Sequence, residues 1–372
     1  MKITKVEPMV LRAGPIDPTR PDGTQDAFLV RVHTDEGLIG IGEGDTAPFV
    51  AHTIVAMPAS HSVAQGLGEM LAGKDPRQVR RRWDEMYHGS YHYGRDGAAL
   101  HAMSAIDMAL WDLAGKIAGS PVSELLGGRR VDEVEVYASE VMPESSHEVA
   151  AIAARVVEQG LEALKLGWGP LGRDVGRDIE LATAAREVLG AGRRLMLDGG
   201  MAYTVASARE LCRKAEPLEL FWLEEPFGAE DVASYRRLAD TVSVRIACGE
   251  ALSTLGPFRS LLEEGHVDVL QPDLGRCGGF TVAAEIAVLA GLHGVEIVPH
   301  SFSTDVLLAA SLHFSSTLPR LRLVEFPVTT SAQGGSLLSE PLRPLNGRLS
   351  VPTGPGLGIV LDEDEINRRR VL

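Results

Sequence analysis

From Gly128 onward the chain repeats one unit: a short apolar run, a polar turn, then a stretch whose apolar residues recur every three or four positions. The runs read as strands are Val134–Ser139, Ala163–Trp168, Arg194–Gly199, Phe221–Pro226, Arg245–Glu250, Val267–Asp273, Gly294–His300 and Leu323–Phe326. Between the first two, Val149, Ile152, Ala153 and Val156 follow the i, i+3, i+4, i+7 spacing of one helix face, and Gly160 supplies the stop. Eight such strands in about 200 residues fit a closed parallel barrel better than an open sheet. The pattern predicts an α/β protein built on a TIM-like barrel.

The N-terminal third has a different texture. KITKVEPMVLR and DAFLVRVHTDEGLIGIGEG alternate as antiparallel strands do, with Asp35-Glu36-Gly37 as a hairpin-type turn. The Pro/Gly/Asp-rich link Gly14–Gly23 reads as a mobile loop. From about Ala59 the pattern becomes helical, and AALHAMSAIDMALWDLAGK is apolar around most of its circumference, ending at Gly119 with Pro121 beyond. The last 45 residues, with EPLRPLNGRLSVPTGPGLG, contain no further strand–helix unit and are expected to pack against the N-terminal region. The expected division is an α+β unit over 1–128, a barrel over 129–327 and a returning segment over 328–372.

Composition narrows the function. The 372 residues are 45% hydrophobic and 23% charged, so a buried core is assured. Lys and Arg number 36 against 51 Asp and Glu, a net charge of −15, which opposes nucleic acid and anionic membrane surfaces and favours cations as partners. Cys212, Cys248 and Cys277 have neither disulfide-framework nor zinc-type spacing, which suits a reducing cytoplasm. The sequence shows no signal peptide and no membrane-length apolar run. Gly40, Gly42 and Gly44 form GxGxG, but Asp45 takes the sixth position and no parallel strand–helix–strand unit follows, so a dinucleotide fingerprint is excluded and the glycines read as turn and close-packing residues.

The polar residues that interrupt the strands carry the chemistry. Lys165 lies on strand two, Asp198 near the end of strand three, Glu224 on strand four, Glu250 ending strand five, Asp273 ending strand six, His300 ending strand seven and Glu325 on strand eight. Steps of 26, 26, 23, 27 and 25 residues from Asp198 onward each equal one strand–helix unit, so these side chains converge on the mouth where barrel enzymes work. Asp198, Glu224 and Glu250 repel one another unless a cation neutralises them, and an all-oxygen set points to Mg²⁺. Glu225 beside Glu224 leaves open which of the two enters the barrel. Asp273 and His300, on neighbouring strands, suit a dyad in which a carboxylate fixes the tautomer of a base. A hard cation beside a nitrogen base suggests removal of the proton next to a carboxylate, with Lys165 on the substrate carboxylate and a protonated Glu325 on a substrate oxygen.

These residues, together with TDEGLIGIGEG, SAIDMALWDLAGK and PVSELLGG, and with LDGG, WLEEP, GEAL, QPDLGRCGG and VPHS in that order, resemble the mandelate racemase-like group of the enolase superfamily over nearly the whole chain. The resemblance implies a modified TIM barrel, (β/α)7β, with an α+β capping domain built from the N-terminal region and the C-terminal tail. It implies Mg²⁺ on Asp198, Glu224 and Glu250, choosing Glu224 over Glu225. It also implies a His300/Asp273 dyad, an electrophilic Glu325 and a homo-oligomer.

One departure stands out: where racemases of the group carry Lys-x-Lys, this chain has Lys165-Leu166-Gly167. With one base, the resemblance implies a lyase, an acid-sugar dehydratase giving a 2-keto-3-deoxy acid; YHYGRDG and NGRLSVPTGPGLG resemble the rhamnonate dehydratase-like branch. The alternatives are an epimerase or racemase using Lys165 as second base, and a non-catalytic acid-sugar binding protein. Cap loops at about 14–25 and 45–57 are expected to set substrate choice.

Overall fold

The computed structural model describes residues 1–17, 25–61, 63–327 and 336–372. Three antiparallel strands open the chain: β1 (Ile3–Arg12), β2 (Asp26–Thr34) and β3 (Ile39–Gly44), in that order across their sheet. The turn between β2 and β3 passes through Gly37 at φ 82°, a conformation that favours a residue without Cβ. Most of the link Gly14–Gly23 falls on residues 18–24, outside the described residues. The segment 45–57, expected as a loop, contains instead the helix Pro48–Ala56. Proline suits its first turn, and Ala51 and Val55 bury one face.

The helix Ala98–Ala118 lies on this sheet and ends at Gly119 in the left-handed conformation, as its sequence predicts. A Cβ at Gly40 would approach the Ala109 carbonyl oxygen to 2.1 Å, one at Gly42 that of Ala105 to 2.1 Å, and one at Gly44 that of His101 to 2.7 Å. Alternate strand residues advance about 6.6 Å and four helical residues about 6 Å, so the three glycines meet successive turns of the helix. GxGxG is a seat for a helix.

The second sheet holds β4 (Glu133–Val141), β5 (Ala163–Gly167), β6 (Arg194–Asp198), β7 (Leu220–Glu224), β8 (Arg245–Cys248), β9 (Val269–Leu270), β10 (Glu296–Ile297) and β11 (Leu323–Pro327). Its order is β10-β9-β8-β7-β6-β5-β4-β11, every neighbouring pair parallel. A helical crossover follows each strand from β4 to β10, and β11 returns beside β4, which gives the (β/α)7β curl. Buried Tyr137, Met196, Trp222, Val269 and Leu323 fill the inside, with Tyr137 and Trp222 edge to face at 5.6 Å. The interior is a packed core whose upper end forms the mouth.

Six of the eight barrel strands are shorter than their sequence predicts; β8 stops at Cys248, leaving Glu250 beyond it, and β9 and β10 are cut back most. The ladder ends at Leu270 on β9 and Ile297 on β10, so Asp273 and His300 stand on chain beyond the sheet. Val298 N still donates to Leu270 O at 3.0 Å before the two segments part. The C-terminal segment touches both units: β12 (Arg348–Ser350) pairs antiparallel with β4, while Val371 N donates to Val10 O at 2.8 Å.

Buried carboxylates join the cap to the barrel. Glu43 on β3 accepts from Ser303 Oγ at 2.6 Å, Thr304 N at 3.1 Å and Leu307 N at 2.8 Å, capping the barrel helix Asp305–Thr317 from outside its own chain segment. Asp107 accepts from Thr281 N at 3.0 Å and Thr281 Oγ1 at 2.6 Å. Burial raises both carboxyls to about 7 despite these bonds. Among the described residues no helix is long and apolar enough to cross a membrane.

Candidate active site

A cavity of about 340 Å³ opens at the C-terminal ends of the barrel strands, and Lys165, Asp198, Glu250, His300 and Glu325 all line it. The seven residues singled out from the sequence are brought together there. Asp198, Glu224 and Glu250 each present an oxygen within 4.8 Å of the others'. Asp198 ends β6 and accepts from Gly200 N at 3.0 Å. Glu224 ends β7, fully buried, and accepts from Trp222 Nε1 at 2.9 Å and Gln271 Nε2 at 2.7 Å. Its neighbour Glu225 is separated from it by a left-handed kink, φ 30°, and turns to Gly249 N at 3.4 Å. The backbone kink, more than strand alternation, separates the pair.

Lys165 is embedded in this negative charge. Its Nζ lies 2.5 Å from Glu224 Oε1, 2.8 Å from Glu325 Oε1 and 3.9 Å from Asp198 Oδ2. Burial alone would favour the neutral amine, but Glu224 and Glu325 hold its pKa well above the ordinary value. Asp198 and Glu224 are pushed up, first by burial, with neighbouring carboxylates adding to the rise and Lys165 opposing it. One lysine shared among these carboxylates leaves the cluster short of positive charge. Three buried oxygen donors at such separations fit a hard divalent cation, Mg²⁺ in preference to zinc.

His300 Nδ1 lies 2.6 Å from Asp273 Oδ2, and Asp273 Oδ1 accepts from Gly275 N at 2.6 Å. The Asp273 carboxylate therefore holds Nδ1–H, leaving Nε2 toward the cavity, 3.4 Å from Glu250 Oε2 and 3.7 Å from Glu325 Oε2. Burial works against the imidazolium, yet Glu250, Glu325 and the Asp273 hydrogen bond raise His300 to about 10. For Glu325 the structure reverses the expectation of a protonated carboxyl. Burial raises its pKa, but Lys165 and His300 outweigh that and lower it to about 2, and Ser301 N donates to it at 2.9 Å. It is an ionised partner of Lys165.

Sequence reasoning missed one pair. Arg276, in QPDLGRCGG, contacts Asp45 of the cap at 2.6 Å and Glu250 Oε1 at 3.4 Å, and its Nε lies 4.0 Å from Asp273 Oδ2. It balances the carboxylates behind the dyad and ties the cap to the mouth. A cation three residues after Asp273, and an acid just after the GxGxG run, were the available signals.

Residues 148–365 match the enolase C-terminal domain-like family, and residues 2–127 match the mandelate racemase / muconate lactonizing enzyme N-terminal domain. The chain belongs to the enolase superfamily, in its mandelate racemase-like group. Among its relatives in the superfamily, a D-galactarolactone cycloisomerase of Agrobacterium fabrum is 35% identical over 359 residues, covering 92% of this chain and 91% of the relative. An L-rhamnonate dehydratase of Saccharopolyspora erythraea is 34% identical, covering 92% and 85%. The crystal structure of the 3,6-anhydro-D-galactonate cycloisomerase from Zobellia galactanivorans superposes with a TM-score of 0.90 at 33% identity, covering 100% of both chains. These three relatives are named for a galactarolactone, rhamnonate and an anhydrogalactonate. The chain's strand-two departure also has a geometric side: a Cβ at Gly167 would stand 2.5 Å from Asp198 Cβ and 2.8 Å from Asp198 Oδ2.

Proposed function

We propose that this chain is a Mg²⁺-dependent acid-sugar dehydratase that removes the proton next to the substrate carboxylate and eliminates the β-hydroxyl. The observation that carries this reading is the dyad: His300 Nε2 faces the cavity, supported at Nδ1 by Asp273, while Lys165, the lysine of the same mouth, is held among carboxylates. Asp198, Glu224 and Glu250 would hold the ion, in keeping with magnesium-bound solved structures of the same fold. Bound Mg²⁺ would supply positive charge for the enediolate and would offset Glu250, one of the carboxylates that raise the His300 pKa.

His300 Nε2 accepts the C2 proton, and Asp273 keeps the ring's tautomer and stabilises the imidazolium. The C2 electron pair forms the C2–C3 double bond as the C3–O bond breaks, and the imidazolium returns its proton to the departing hydroxide. Water leaves, and the enol product becomes a 2-keto-3-deoxy acid. Lys165, beside Glu325, orients the substrate carboxylate. Its carboxylate partners support a binding role and disfavour its use as the second base of an epimerase.

A second reading is favoured by the two cycloisomerase relatives. If the C3 oxygen belongs to a lactone or anhydro ring, the same elimination opens the ring and loses no water. Both readings are tested by incubating the Mg²⁺-loaded protein with a library of acid sugars and their lactones and assaying 2-keto acids, with product mass separating loss of water from isomerisation. Keto acid from one member is expected, and His300→Asn should lower kcat by about 10²- to 10⁴-fold with Mg²⁺ affinity retained. Silence across the library, or C2 deuterium exchange without keto acid, would overturn the proposal. Bound but unchanged ligand would identify a binding protein.

A further inference from the structure

Trp168, directly after Gly167, has no part in the proton chemistry. It is the first residue beyond β5, at φ 60°, a left-handed conformation that disfavours a bulky side chain. The conformation is held by its surroundings: Trp168 N donates to Asp198 O at 3.1 Å, and Leu171 N donates to Trp168 O at 3.2 Å. Next to it, Gly169 at φ 58° leaves no room for a Cβ, which would stand 2.2 Å from Met142 O. The result is an indole lining the cavity with 37% of its surface exposed.

One face of that indole is backed. A Cβ built on Gly200 would be nearly equidistant from Trp168 Cδ2 (3.1 Å), Cγ (3.3 Å) and Cε3 (3.4 Å), which places Gly200 over the ring and not at its edge. Phe302, two residues after His300, also lines the cavity, as does Met201 at φ 62°. The mouth thus has a charged floor of Lys165, the carboxylates and His300, and an apolar wall whose flattest element is a backed indole. A carboxylate ligand held at the floor would lay its remaining carbons along that wall.

We infer that Trp168 is a specificity-determining residue, a stacking platform for the C–H face of a ring-closed sugar acid, a lactone or cyclic ether carrying a carboxylate. The inference rests on the acid-sugar reading above and deepens its second, ring-opening form. A five- or six-membered ring presents several C–H bonds on one flat face and gives up little conformational freedom on stacking. An open-chain polyol carries hydroxyls on both sides and must freeze several torsions to offer the same area.

The test measures binding without turnover, in the His300→Asn background with Mg²⁺ added, by calorimetry. The ring-closed ligands are D-galactarolactone and 3,6-anhydro-D-galactonate, and the open-chain ligands are L-rhamnonate and D-gluconate. Trp168→Ala is expected to weaken the ring-closed pair about tenfold and the open-chain pair less than about twofold, with Trp168→Phe recovering most of the loss. Trp168→Leu keeps apolar bulk without a flat face and reads the same contrast if the alanine variant does not fold. An equal loss for all four ligands, an unchanged ring-closed pair, or no ring-closed binding by the parent would overturn the platform. Failure of the functional reading is separate: wild-type protein would then give no 2-keto acid while the ring-selective loss persisted.

Discussion

At Gly167 the missing side chain is a packing requirement, because Asp198 occupies the space a Cβ would need. Gly167→Lys is therefore expected to displace Asp198 and lower Mg²⁺ affinity at least about tenfold, without creating racemase activity. Calorimetric titration with Mg²⁺ checks this, and an unchanged affinity would show that strand two can yield. The seven residues of the mouth were legible because one strand–helix unit has a nearly constant length, so regular spacing translates into convergence on one face. The Asp45–Arg276 pair was not, since it joins positions 231 residues apart and no local pattern reports it. The charge state of Glu325 was likewise beyond the sequence: crowding by acids suggested protonation, and the 2.8 Å approach of Lys165, with His300 and Ser301 N beside it, favours the carboxylate.

Among elements, the cap sheet and the helix Ala98–Ala118 are fitted to each other through glycine. Gly42→Ala would drive a methyl group into the Ala105 carbonyl, so a loss of about 1 to 3 kcal/mol in unfolding free energy is expected. A urea titration checks it, and a neutral result would mean that helix and strand separate at little cost. Periodicity located the barrel strands well, because β-branched and apolar runs bounded by turns are a local signal. It overran most at β9 and β10, where chain leaving the ladder keeps a strand-like composition while its backbone partners are lost. The opposite error fell on Pro48–Ala56, a helix inside the segment expected as a loop, whose proline takes the first turn.

At the scale of the whole molecule, the cap and the barrel meet through buried carboxylates, and this predicts how stability follows pH. Burial outweighs the Thr281 hydrogen bonds and raises Asp107 from 3.8 to about 7, so the folded protein holds a proton that the unfolded chain releases above about pH 4. The stability this group contributes is fully present below about pH 4 and is lost as pH rises through about 7. Asp107→Asn can accept from Thr281 N through its amide oxygen and donate to Thr281 Oγ1 through its amide nitrogen, and it has no proton to lose, so between pH 5 and pH 8 it should lose less stability than the parent, a difference on the order of a few kcal/mol. Urea midpoints at the two pH values check this, and parallel pH profiles would overturn the assignment.

The hold of Glu43 on Ser303, Thr304 and Leu307 has a consequence for engineering. Exchanging N-terminal units between members of the superfamily, in the hope of moving substrate preference from one to another, also exchanges the acid that steadies the segment just after His300. A hybrid lacking a carboxylate at that place, or lacking the hydroxyls that greet it, would inherit a new roof and lose the alignment of its histidine.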